Sequence, residues 1–109
     1  MKYIPEQGDI IWLDFDPSSG REIMKRRPAF VISRKTFNAH TGFAIIAPIT
    51  STLRGIKLEV VLSKTKTKGA VLVHQMKSLD FAQRNAKFIE TASAAITEAV
   101  SVIAQTIVR

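Results

Sequence analysis

The sequence contains no cysteine, which excludes a disulfide framework, a thiol nucleophile and a cysteine-built zinc site. Histidine is almost missing too. With only His40 and His74, a metal site would have to recruit carboxylates, and neither a metal nor a cofactor is expected. No run of about 18 apolar residues occurs and the opening MKYIPEQGD carries no apolar stretch, so the expectation is a cytoplasmic protein without a membrane span or secretory signal. The P-loop, GxGxxG, HExxH and GxSxG patterns are also absent, which removes support for nucleotide hydrolysis, dinucleotide binding and the commonest hydrolase triads.

What is present is an apolar, basic chain. Hydrophobic residues make up 46% and Gly and Pro only 5 and 4 of 109, the composition of a chain that fills a core rather than of a disordered tail. Its length supports one domain, residues 1–109. The 16 Lys and Arg against 9 Asp and Glu give a formal charge of +7. Such a domain attracts polyanions by neutralising phosphates and releasing counterions, although an acidic protein partner fits the charge equally well.

Short β-branched or aromatic segments bounded by turn residues predict strands. They are Asp9 to Phe15, Pro28 to Ser33, Phe43 to Ile49, Leu58 to Leu62, Ala70 to Leu79 and Ala86 to Ile89. With no long helix between them, they favour an antiparallel, strongly curved sheet or small barrel over a parallel sheet, which needs crossovers. The polar basic run SKTKTK, Ser63 to Lys68, reads as an exposed loop or hairpin end. A charged loop leads from Asp16 to Arg27. At the end of the chain Ile96, Val100, Ile103, Ala104 and Ile107 fall on one helical face, Ser93 is an N-cap residue, and a helix from Ala94 to Val108 is predicted. Lys35 to His40 can add a short helical turn.

Three places carry candidate chemistry. Arg26-Arg27 lies where the charged loop meets a strand, and Pro28 biases Arg27 to an extended backbone, from which a guanidinium can grip a phosphate through two hydrogen bonds. Solvated loop arginines are the alternative. The strand ending in Thr50-Ser51-Thr52 offers hydroxyl donors for a phosphate oxygen, but such residues also bond their own backbone in turns. His74 falls mid-strand on the face of Leu72 and Met76, which suggests a structural histidine, with a proton-shuttle role as the other reading. Trp12 reads as core or interface packing rather than a base-stacking platform.

Taken together these stretches resemble the MazF/PemK family of toxins. Gly8-Asp9-Ile10-Ile11-Trp12-Leu13-Asp14-Phe15-Asp16-Pro17-Ser18-Ser19-Gly20-Arg21-Glu22 is similar to the family's G-D-[IL]-[IV]-W-x-D-F-D-P-x-x-G-x-E. Arg27-Pro28-Ala29-Phe30-Val31-Ile32-Ser33, Pro48 to Ser51, Gly55 to Leu62 and Gly69 to Asp80 follow in family order and spacing. The resemblance implies a mainly β fold, an SH3-like, partly open antiparallel β-barrel with a C-terminal helix, assembled as a homodimer. It implies a sequence-specific endoribonuclease acting on single-stranded RNA, held in check by a cognate acidic antitoxin of the MazE/PemI kind.

By position, Arg27 and Thr50 match the family's catalytic pair and Glu22 its loop glutamate, with Ser51 and His74 as further candidates for catalysis or support. Lys25, Arg26, Arg54, Gln75, Lys77 and Arg84 are the candidate RNA contacts. The chain departs from the family loop at Ile23 and Lys25, which stand where glutamine and glycine are usual. It also has Leu72 and His74 where some members carry an Arg-x-Asp pair, so that acid/base pair cannot operate here. A non-catalytic, CcdB-like toxin that binds DNA gyrase is the main alternative, and an RNA-binding module without turnover is a third.

Overall fold

The computed structural model describes residues 2–15, 26–53, 55 and 58–109. Strands β1 (Asp9–Asp14), β2 (Arg26–Val31), β3 (Phe43–Thr50), β4 (Glu59–Val61), β5 (Ala70–Leu72), β6 (Lys77–Asp80) and β7 (Lys87–Thr91) form one antiparallel, open sheet. Helix α1 (Lys35–Thr41) joins β2 to β3 and helix α2 (Ala94–Val108) ends the chain. Neighbouring strands run in the order β4-β5-β3-β2-β1-β7, and β6 adds to β3.

Alternation along the strands gives the sheet two apolar faces. Ile10, Phe30, Ala47, Ile49, Val71 and Val73 point to one, where α2 lays Ile96, Val100 and Ala104 across them. Ile11, Leu13, Ala29, Val31, Ala44 and Ile46 point to the other, closed by Leu79 and Phe81. The helix starts where its cap is expected: Ser93 Oγ accepts from the Ile96 N–H at 3.2 Å. Ile107, assigned to the buried face, is 41% exposed and does not join the core cluster that holds Ile96, Val100 and Ala104.

Two sequence expectations are corrected. Ala70 to Leu79 is not one strand; β5 stops at Leu72, a single 3-10 turn covers Val73–Gln75, and β6 starts at Lys77. Both pieces pair with β3, Val71 with Ile49 and Lys77 with Ile46, so the turn inserts three residues into the register and shifts the alternation. His74 is therefore exposed in the turn and shares no buried face with Leu72. Trp12, read as core or interface packing, is 39% exposed and lies outside the helix-covered cluster of Ile10 and Phe30, so core packing is the half of that reading that is corrected.

The β4–β5 hairpin closes through a left-handed backbone at Gly69, with φ +125°. A Cβ there would lie 2.1 Å from the Thr50 carbonyl oxygen, so glycine allows β5 to press against the end of β3. Gly42 at the end of α1 also has positive φ, +79°, but nothing within 4 Å of a Cβ. Gly69→Ala should cost more than about 2 kcal/mol and Gly42→Ala only about 1 kcal/mol, the strain of a left-handed alanine alone. Urea titrations of the two variants measure this, and equal losses would contradict the close approach.

At the far end of β1, the half of the sheet that carries Arg27 is tied to the β6–β7 turn by Asp14. Its Oδ2 accepts from Asn85 Nδ2 at 2.8 Å and its Oδ1 from Arg26 Nη1 at 2.9 Å. The Asn85 bond, with Arg26 adding to it against the opposing effect of burial, holds the Asp14 carboxyl below its ordinary value. The unfolded chain therefore takes up this proton first as pH falls, and the stabilisation, full above about pH 4, is lost through the acid range below it. Asp14→Asn should lower stability at pH 6, with the gap to the parent protein narrowing at pH 3; a gap independent of pH would refute the assignment.

Candidate active site

The site begins with a proline. Strands β2 and β3 pair through Val31–Ile46, Phe30–Ala47 and Ala29–Pro48, and the ladder stops there. The next bonded pair would join Pro28 and Ile49, and Pro28, facing β3, has no N–H to contribute. Beyond that point β2 remains with β1, Arg27 opposite Leu13, while β3 turns to β5, Thr50 opposite Ala70. The two strands part, and continuing their register by two residues sets Arg27 across from Thr50.

A groove of about 330 Å³ opens in the parting, lined by Arg27, Pro28, Ile49, Thr50, Ser51 and Lys68. Its floor is apolar, formed by buried Ile49 and half-buried Pro28, and its rim carries two cations and two hydroxyls. Thr50 is half-buried, and its Oγ1 accepts from the Thr52 N–H at 3.1 Å. The turn reading of this segment is thus correct for Thr50. It is also compatible with function: the oxygen is fixed as an acceptor, so the hydroxyl proton can donate elsewhere. Arg27 is exposed, which keeps its five N–H donors available to an anion.

The other sequence candidates are distributed differently. Arg26, besides its bond to Asp14, donates through Nη2 to the Asn85 carbonyl at 3.1 Å. Arg84 donates to the carbonyls of Phe15 at 2.7 Å and Asp14 at 3.3 Å. Both arginines thus brace the end of β1 and lie outside the groove lining. Lys77 sits 5.5 Å from the centre of the Phe15 ring, a cation–π contact on the same side of the molecule. His74 and Gln75 are exposed in the 3-10 turn and do not line the groove. Glu22, Lys25, Ile23 and Arg54 lie outside the described residues.

Sequence reasoning missed Lys68 as a groove residue. The SKTKTK run was legible as a loop, but only the fold shows that Gly69 swings its last lysine beside Thr50.

Known proteins share the sequence pattern and the overall fold. The family model described as PemK-like, MazF-like toxin of type II toxin-antitoxin system matches residues 6–107. The chain is 41% identical over 85 residues to the endoribonuclease toxin MazF of Escherichia coli K12, covering 78% of this chain and 77% of that protein. It is 35% identical over 99 residues to the endoribonuclease toxin ChpB of the same organism, with 85% and 84% covered. A crystal structure of MazE-MazF from Deinococcus radiodurans superposes with a TM-score of 0.88 at 34% identity over 97% of this chain and 96% of that one. With its split sheet, terminal helix and arginine–threonine groove, the chain belongs to the PemK-like, MazF-like family of type II toxin–antitoxin toxins.

Proposed function

We propose that this toxin is a sequence-specific endoribonuclease that cuts single-stranded RNA without a metal, leaving a 2′,3′-cyclic phosphate and a 5′-hydroxyl. The observation that carries the reading is the facing of Arg27 and Thr50 across the parted strands, in a chain related to endoribonuclease toxins. In this reaction the ribose 2′-oxygen loses its proton and bonds to the adjacent phosphorus, the bond from phosphorus to the 5′-oxygen breaks, and that oxygen takes a proton. Negative charge grows on the nonbridging oxygens in the transition state. Arg27 neutralises it by two charge-assisted hydrogen bonds, and Thr50, helped by Ser51, donates a further one. A guanidinium with a pKa above about 12 is a poor base, so Arg27 stabilises charge rather than accepting the 2′-hydroxyl proton.

Single-stranded RNA suits a shallow groove because unstacked bases expose the edges a surface can read. The same cationic groove suits an acidic antitoxin segment, and a relative of this chain has been crystallised as a MazE-MazF complex. We therefore assign the chain an acidic antitoxin partner, a homodimeric state and a cytoplasmic setting. Among the described residues no helix is long and apolar enough to cross a membrane.

The test is incubation of the purified protein with a long mixed-sequence RNA in EDTA, with the new ends mapped. Discrete cuts bearing 5′-hydroxyl ends are expected. Arg27→Ala should slow cleavage at least about 100-fold and Thr50→Ala by about 10-fold or more, the scale of losing a donor to a developing oxyanion. Cleavage that needs added divalent metal, or that survives Arg27→Ala, would overturn the reading. His74→Ala should leave the pH–rate profile unchanged, because His74 lies outside the groove lining; loss of an inflection would make it the missing base.

A further inference from the structure

Glu90 joins two ends of the open sheet through a loop. Strands β4 and β7 stand at opposite ends of the strand order, yet the segment between β4 and β5 reaches back to β7. There Glu90 Oε1 accepts from the Lys66 N–H at 3.0 Å and Oε2 from the Thr67 N–H at 2.8 Å. Thr65 Oγ1 donates to the Thr67 carbonyl at 2.7 Å, and the Gly69 carbonyl accepts from the Leu62 N–H at 2.9 Å. The loop also holds Lys64 at φ +58°, a conformation that a lysine adopts only at a cost. Lys68 is thereby fixed on both sides, by Thr67 on Glu90 and by Gly69 against Thr50. It is the one lysine of the SKTKTK run that lines the groove. Burial opposes ionisation of Glu90, but the two N–H groups outweigh it and hold its carboxyl below the ordinary value, so the clamp is anionic at neutral pH.

We infer that Lys68 holds a backbone phosphate of the RNA next to the one being cut, and that Glu90 positions it by clamping the loop. This rests on the nuclease reading above and extends it to the substrate strand. An ammonium is a compact, strongly hydrated charge with no fixed fork, suited to gripping a phosphate as a point charge while Arg27 makes the directional bonds. The loop contributes to affinity because the backbone that carries the lysine is held before RNA arrives, so less of the binding energy is lost in ordering it. RNA rather than the antitoxin is the assigned ligand because Lys68 shares its groove with the hydroxyls of Thr50 and Ser51, donors that a phosphate chain meets in succession.

The experiment measures cleavage of a short RNA containing the mapped site, and binding of the same RNA with a 2′-deoxy nucleotide at the cut, across a range of salt. Lys68→Ala should raise KM about tenfold with less than about a twofold change in kcat, and should flatten the plot of log affinity against log salt by about 0.7, the signature of one lost contact to a single-stranded phosphate. Lys68→Arg should restore most of the affinity. Glu90→Gln, which keeps the shape but leaves one acceptor for two donors, should raise KM by roughly threefold. The double variant Lys68→Ala/Glu90→Gln should be no worse than Lys68→Ala alone, because the clamp acts through the lysine.

Multiplying effects in the double variant would overturn the positioning role of Glu90. Unchanged RNA affinity in Lys68→Ala would overturn the phosphate contact, and weakened antitoxin binding beside it would reassign the lysine to the antitoxin. Lys68 is exposed, so its replacement tests the contact even if Glu90→Gln unfolds the loop. A parent protein that neither cuts nor binds RNA would overturn the nuclease reading together with this one. Cleavage by the parent protein with Lys68 inert would overturn this inference alone.

Discussion

The structure depends on the failure of β2 and β3 to stay paired. Pro28, whose backbone nitrogen faces β3, removes the N–H that the next bonded pair of the ladder would need opposite Ile49, and each strand then follows its other neighbour. A continuous ladder would have held the two backbones at strand spacing and closed the space between Arg27 and Thr50. Parting the strands leaves their side chains facing across a groove while the cores on both faces of the sheet remain closed. The rest of the fold keeps the parting in place: β5 is pressed on Thr50 through Gly69, and Asp14 ties β2 to the β6–β7 turn.

Charge is divided by the same architecture. The +7 balance suggests a uniformly cationic surface, but the arginines do two kinds of work. Arg26 and Arg84 are committed to a carboxylate and to carbonyls at the end of β1, so they stiffen the strand that carries the site instead of reaching for phosphates. Arg27, one residue along, projects to the other side of β2 and is left for an anion. Alternation in a strand thus sorts two adjacent arginines into a brace and a ligand.

Much of this was legible in the sequence. Local periodicity was enough for α2 and its Ser93 cap, and for most strands, because their apolar patterns are long or sharply bounded. The resemblance supplied the arginine–threonine pair, which the parted strands then bring together. Three features stayed hidden for physical reasons. The 3-10 turn at Val73–Gln75 carries no glycine or proline to mark it, and only the register against β3 reveals its three extra residues. The exposure of Trp12 depends on where α2 stops covering the sheet. The meeting of Lys68 with Thr50, and of Glu90 with the loop between them, joins segments more than fifteen residues apart through a closure that no local pattern encodes.

In the proposed reaction one phosphate of a single-stranded RNA sits between the parted strands, held by Arg27 from one and Thr50 from the other. The most direct test is a crystal structure with an RNA made uncleavable by a 2′-deoxy nucleotide at the mapped cut. The scissile phosphate should lie in the groove, its nonbridging oxygens about 3 Å from the Arg27 guanidinium and from Thr50 Oγ1. A strand bound on another face, with no phosphate between these residues, would contradict that placement.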